Sequence, residues 1–148
     1  MIGLGRMGAN MARRLTRAGV DVVGYDVVAT SVEAFAAEGS VGTHSLADLV
    51  AALEPPRHVW VMVPAAFVGS TVDALAPLLA PGDAIIDGGN SWYRDDIDRA
   101  GPLAAQGIHY LDVGTSGGVF GLERGYCLMV GGSTEAVERL TPVFDALA

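Results

Sequence analysis

Gly3, Gly5 and Gly8 stand in the spacing G-x-G-x-x-G near the start of a sequence of 148 residues. That spacing supplies what a bound diphosphate needs: a tight turn, a bare main chain, and a following helix whose first amides point at the anion. Glycine is abundant here, with 20 in all, so the pattern gains meaning only from its context. Downstream, Met7, Met11, Leu15 and Ala18 recur at helical intervals, while Arg13, Arg14 and Arg17 take the other side. The apolar run Val20 to Tyr25 then ends in Asp26, eighteen residues beyond Gly8. A carboxylate at that strand end is placed to accept hydrogen bonds from ribose hydroxyls and to repel a 2′-phosphate. Val27, Val28 and Ala29 follow, so no arginine sits beside it to neutralise an extra phosphate. Gly3, Gly5, Arg6, Met7, Gly8 and Asp26 are therefore candidate cofactor-binding residues, and NAD is expected in preference to NADP.

Positioning these groups requires alternating strands and helices. Only Met1 and Ile2 precede the first glycine, whereas a strand feeding such a turn usually has about five residues. The expectation is that the natural chain begins several residues upstream. Thr30 and Glu33 have capping-box spacing and predict a short helix to Glu38. Ser45 and Asp48 repeat the device for a helix that Pro55-Pro56 cannot continue. Val59 to Val63 reads as strand, Phe67 to Leu79 as helix and Ala84 to Asp87 as strand. Gly88-Gly89-Asn90-Ser91 leads to a helix from Trp92 to Gln106, on which Asp95, Asp96, Asp98 and Arg99 read as a solvated face. Ile108 to Val113 is a strand, Gly114 to Gly125 a glycine-rich loop and Tyr126 to Val130 a strand, with Ser133 capping a last helix. The alternation predicts an α/β fold, a Rossmann-like doubly wound, mostly parallel sheet with helices on both faces. In such sheets ligands bind at the strands' carboxyl ends, where Pro64-Ala65-Ala66 follows its strand.

Composition narrows the classes. Hydrophobic residues make up 51% of the chain, which suits strands buried on both faces. A net charge of −8 argues against a nucleic-acid partner. The longest apolar run, Val59 to Val68, contains Pro64 and is too short to span a bilayer, so no membrane association is expected. The single Cys127 cannot form an internal disulfide and reads as a small core hydrophobe in a strand. With no signal-peptide pattern, a cytoplasmic location follows. His44, His58 and His109 lack ligand spacing, and no metal site is expected. All nine basic residues are arginine, so a mechanism needing an amine base cannot be completed by this chain.

Ile85 to Ser91 and Asp112 to Gly118, taken with Gly3 to Met11, resemble the amino-terminal domain of decarboxylating 6-phosphogluconate dehydrogenase, within the β-hydroxyacid dehydrogenase superfamily. The likeness covers essentially the whole chain. Tyr25-Asp26 replaces the phosphate clamp of the NADP-using form, and Gly121 to Met129 is similar to the shorter, NAD-preferring branch. The resemblance implies oxidation of the C3 hydroxyl of 6-phosphogluconate by hydride transfer to the nicotinamide, then loss of CO2 to give ribulose 5-phosphate in the pentose phosphate pathway. It also implies that Asn90, Ser116, Gly117 and Gly118 bind substrate, that Met62, Val63 and Ala65 lie near the nicotinamide, and that Asn90 binds the cofactor as well. The family's lysine base and glutamate acid belong to an all-helical domain outside these residues, which also supplies most contacts of a homo-oligomer. No catalytic residue is assigned here, and residues 1–148 are expected to be inactive alone. Two other readings stay open: a β-hydroxyacid dehydrogenase of the 3-hydroxyisobutyrate or tartronate semialdehyde type, and a binding-only NAD module.

Overall fold

Met1 to Gly3 forms the middle of the sheet despite its brevity. In the computed structural model, which describes residues 1–148, Ile2 pairs in parallel with Tyr25 on one side and Val61 on the other. Its N–H donates to the Trp60 carbonyl and its own carbonyl accepts from Met62, both at 2.7 Å. On the other flank Met1 accepts from Tyr25 N–H and Gly3 donates to the Tyr25 carbonyl, both at 2.9 Å. This segment joins two ladders. One holds β1 (Val23–Tyr25) and β2 (Val41–Thr43); the other holds β3 (His58–Val61), β4 (Ala84–Asp87), β5 (His109–Ser116) and β6 (Cys127–Gly131). The order across the sheet is β2, β1, Ile2, β3, β4, β5, β6, parallel throughout except for β6, which runs antiparallel to β5.

Alternate residues of each strand feed two separate cores. Trp60, Ile86 and Leu111 pack with Met11 and Leu15 of α1 (Arg6–Arg17), Phe35 of α2 (Ala29–Ala37), and Leu140 and Leu147 of α7 (Thr134–Leu147). Val59, Val61, Ile85 and Tyr110 pack the other way, on Leu49 of α3 (Leu46–Ala51), Val68 and Leu75 of α4 (Ala65–Leu75), and Leu103 of α5 (Tyr93–Ala104). Because both faces are covered, neighbours such as Ile85 and Ile86 are equally buried, which explains the unbroken apolar runs. The doubly wound architecture is as expected. No helix is long and apolar enough to cross a membrane.

The differences from expectation are local. The strand foreseen over Val20 to Tyr25 is confined to Val23–Tyr25, and Val41–Thr43 adds an edge strand that its short, half-exposed sequence did not signal. Thr30 does not cap α2: it lies inside the helix, whose N-cap is Val28, and Asp26 Oδ1 accepts the Val28 N–H at 2.8 Å. The Ser45 cap is present, its hydroxyl accepting from Asp48 N–H at 3.0 Å. Helix α4 begins at Ala65 and gives way to a 3-10 turn over Ala76–Leu78. The foreseen loop from Gly114 is instead a continuation of β5 to Ser116, then a 3-10 turn at Gly118–Phe120 and the short α6 (Gly121–Arg124). Cys127 is exposed rather than core, because β6 is an edge strand.

Candidate cofactor and substrate site

The cofactor candidates converge at the carboxyl edge of the parallel strands. Gly3 turns the chain out of the sheet at φ +91°, and a Cβ there would stand 2.3 Å from the Met62 carbonyl oxygen. A side chain is excluded by both conformation and space. Gly8 brings α1 onto the same turn, where a Cβ would lie 1.9 Å from the Gly3 carbonyl oxygen. Gly5 differs: its φ is −64°, and a Cβ would meet nothing within 4 Å. The protein leaves open the space above the first turn of α1. That turn has no side-chain cap and no acidic residue, so its amides and the positive end of the helix dipole face outward. Exposed Arg6 and half-buried Met7 flank it.

Asp26 reaches back to this turn. Its Oδ2 accepts Leu4 N–H at 2.7 Å and its Oδ1 accepts Val28 N–H at 2.8 Å. Each oxygen keeps a further acceptor position beyond its backbone bond. Val27 and Val28 beside it are exposed and apolar, and no cation pairs with the carboxylate. On the other side of the turn Met62 and Val63 leave β3 half-buried, and Ala65 is exposed at the start of α4.

The substrate candidates occupy the next two strand ends. Asn90 is exposed on the loop after β4, and Gly89 of that loop stands against the Val63 carbonyl. Ser116, Gly117 and Gly118 are exposed at the end of β5, which outruns β4 by four residues beyond the Asp87–Asp112 pairing. Gly117 and Gly118 turn with φ of +143° and +51°. No hydrogen bond joins Asn90 to Ser116; they share the sheet edge, on the far side of β3 from Asp26.

A family model of the NAD binding domain of 6-phosphogluconate dehydrogenase matches residues 1–148. The chain belongs to that family. The NAD(+)-dependent decarboxylating 6-phosphogluconate dehydrogenase of Haloferax volcanii is 46% identical over 149 residues, covering 100% of this chain and 49% of its own length. The decarboxylating enzyme of Treponema pallidum is 42% identical over 153 residues, 99% of this chain and 31% of its own. Among solved structures, Plasmodium falciparum 6-phosphogluconate dehydrogenase superposes with a TM-score of 0.93 at 27% identity, over 99% of this chain and 33% of that one. Mycobacterium tuberculosis 3-hydroxyisobutyrate dehydrogenase does so with 0.90 at 29% identity, over 99% and 50%. The chain thus spans half or less of the length of these relatives. It is a Rossmann-like NAD(P)-binding domain of an oxidoreductase family.

In this NAD-binding domain the Gly88–Ser91 loop hangs on a buried polar network that sequence reasoning missed. Asp87 is fully buried; its Oδ1 accepts Gly89 N–H at 2.8 Å and its Oδ2 accepts the Ser91 hydroxyl at 2.6 Å. Tyr110 lies 3.3 Å from that Oδ2 and 2.9 Å from Asp96 Oδ1, which Arg99 also meets at 3.1 Å. Asp96 is only 4% exposed, and the Arg99 side chain 19%, so α5 does not present them as a solvated face. The signal lay in the spacing: Asp96 and Arg99 are one helical turn apart, and Tyr110 and Asp112 alternate along β5 on the face that meets α5. His58 and His109 begin β3 and β5 on either side of Ala84, at the edge opposite this site. His58 is held below its usual range by burial first and by Arg139 second.

Proposed function

We propose that this chain is the cofactor domain of an NAD-dependent 6-phosphogluconate dehydrogenase, which oxidises the C3 hydroxyl of 6-phosphogluconate and releases CO2 to leave ribulose 5-phosphate. One observation carries the reading. The open helix N-terminus at Gly5 and the Asp26 carboxylate stand on one edge with the loops that present Asn90 and Ser116 to Gly118. The first amides of α1 and Arg6 would hold the diphosphate, and Asp26 the adenosine ribose. Met62, Val63 and Ala65 supply an apolar wall beside them, which excludes water from the nicotinamide side. When bound, NAD supplies the hydride acceptor. The Asn90 amide, the Ser116 hydroxyl and the bare backbone of Gly117 and Gly118 orient a hydroxylated carboxylate.

Asp26 supports NAD over NADP, because a 2′-phosphate would meet a carboxylate with no cation beside it. The lysine base that the family resemblance implies has no counterpart here, since all nine Lys and Arg positions are arginine. By that resemblance the base would come from an all-helical domain, which would also supply most contacts of a homo-oligomer. Calorimetric titration of the purified chain tests the reading: NAD and 6-phosphogluconate should both bind, NADP more weakly, with no turnover. An absence of heat with NAD on folded protein, or tighter binding of NADP, would overturn the cofactor assignment. Binding of 3-hydroxyisobutyrate without 6-phosphogluconate would assign the substrate of the other superfamily branch.

A further inference from the structure

The groups beneath the Gly88–Ser91 loop do not have enough protons to satisfy one another. Asp87 on β4 and Asp96 on α5 share a single guanidinium, Arg99, which stands 3.1 Å from Asp96 and 3.9 Å from Asp87, while the Asp112 carboxylate on β5 adds a third negative charge nearby. Asp95, also on α5, approaches Arg99 only at 3.9 Å and is half exposed. Tyr110 has one hydroxyl proton yet lies within hydrogen-bond distance of both Asp96 Oδ1 and Asp87 Oδ2. Ser91 spends its proton on Asp87. Asp96 Oδ2 is buried with no donor at all. As two anions the pair would leave that acceptor orphaned and two like charges facing each other, both costly in a low-dielectric interior.

We propose that Asp96 is a positioning residue for the Gly88–Ser91 loop, sharing one proton with Asp87 and acting on the loop through Tyr110 and Asp87. A proton on Asp96 removes the charge repulsion, and sharing it with Asp87 gives the orphaned acid a partner. It also leaves Asp87 as the single anion that holds Gly89 N–H and the Ser91 hydroxyl. Burial first, and then the Asp87 and Asp112 carboxylates, push Asp96 up to about 6 against the hydrogen bond from Tyr110. When the proton leaves, Tyr110 and Arg99 are drawn to Asp96, and Asp87 keeps only its bonds to the loop. The consequence for catalysis rests on the substrate reading of that loop; the proton-linked ordering does not.

Nuclear magnetic resonance on the chain, without ligand, tests this. The Gly89 and Asn90 amide signals should move with pH, with a midpoint near 6. Asp96→Asn mimics the protonated acid and should freeze those signals at their low-pH positions, while Tyr110→Phe should raise the midpoint. A purely structural Asp96 would not produce a frozen titration. Loop amides that stay still, or an Asp96→Asn chain that titrates like the wild type, would overturn the proposal. Should either variant fail to fold, the wild-type carboxyl carbon of Asp96 decides, and a midpoint in the ordinary carboxylate range refutes it. Titration with 6-phosphogluconate is a separate arm: its failure would remove the substrate reading and leave the loop titration standing.

Discussion

Replacing Gly5 and Gly8 separately by alanine distinguishes a glycine kept for the protein from one kept for a ligand. At Gly8 the new methyl would stand 1.9 Å from the Gly3 carbonyl oxygen, so α1 must retreat by about 1.5 Å to restore ordinary contact. The helix cannot do so freely, because Met11, Ala12 and Leu15 are buried against the sheet. Overpacking of this kind costs about 1–3 kcal/mol. For a chain of this size that is a fall in Tm of roughly 3–10 °C. At Gly5 the backbone suits alanine and the methyl meets no protein atom within 4 Å. Its cost to folding is about 0.5 kcal/mol, from the poorer N-cap. The methyl would instead project into the space above the helix amides, and NAD affinity should fall at least about tenfold, equivalent to about 1.4 kcal/mol. Thermal melts paired with calorimetry measure both effects. Wild-type NAD affinity in Gly5→Ala would show that no diphosphate docks over that residue. Undiminished stability in Gly8→Ala would refute the close approach of α1 to the first turn.

Asp26→Asn removes the charge proposed to repel a 2′-phosphate, at the loss of one of the two backbone hydrogen bonds the carboxylate accepts, so the ratio of NAD to NADP affinity should drop by about tenfold in paired titrations; an unchanged ratio would place the discrimination elsewhere. Asp83, with its side chain 1% exposed, accepts from the backbone of Arg57 and Ala80 and from the Arg57 guanidinium. Asp83→Ala should therefore cost about 3 kcal/mol, and Arg57→Ala less, in denaturant titrations. Burial pushes the Asp83 carboxyl up, but those three hydrogen bonds outweigh it and hold the group below its usual range. Its contribution is thus present above the unfolded carboxylate range and lost as the pH falls through the folded value, so Asp83→Asn should flatten the acid side of the stability profile.

The alternation of apolar runs with glycine and proline breaks was enough to read the doubly wound fold, because strands buried on both faces must be continuously apolar. Gly3, Gly5, Gly8 and Asp26 were legible for a similar reason: a sharp turn, a close helix and a strand-end acid each demand one residue type at one spacing. The sequence could not separate the three glycines by purpose. Only the folded backbone shows that Gly3 and Gly8 are crowded by protein while Gly5 is not. Short edge elements were equally hidden, since Val41–Thr43 and exposed Cys127 owe their state to neighbours far away in the chain. The acid pair under the Gly88–Ser91 loop was hidden most completely. Asp87 reads in sequence only as the end of a strand and Asp96 as part of a solvated helix face, and what changes them is burial beside each other and Tyr110. Local patterns report what one segment needs for itself, whereas charge and protonation depend on groups that only tertiary packing brings together.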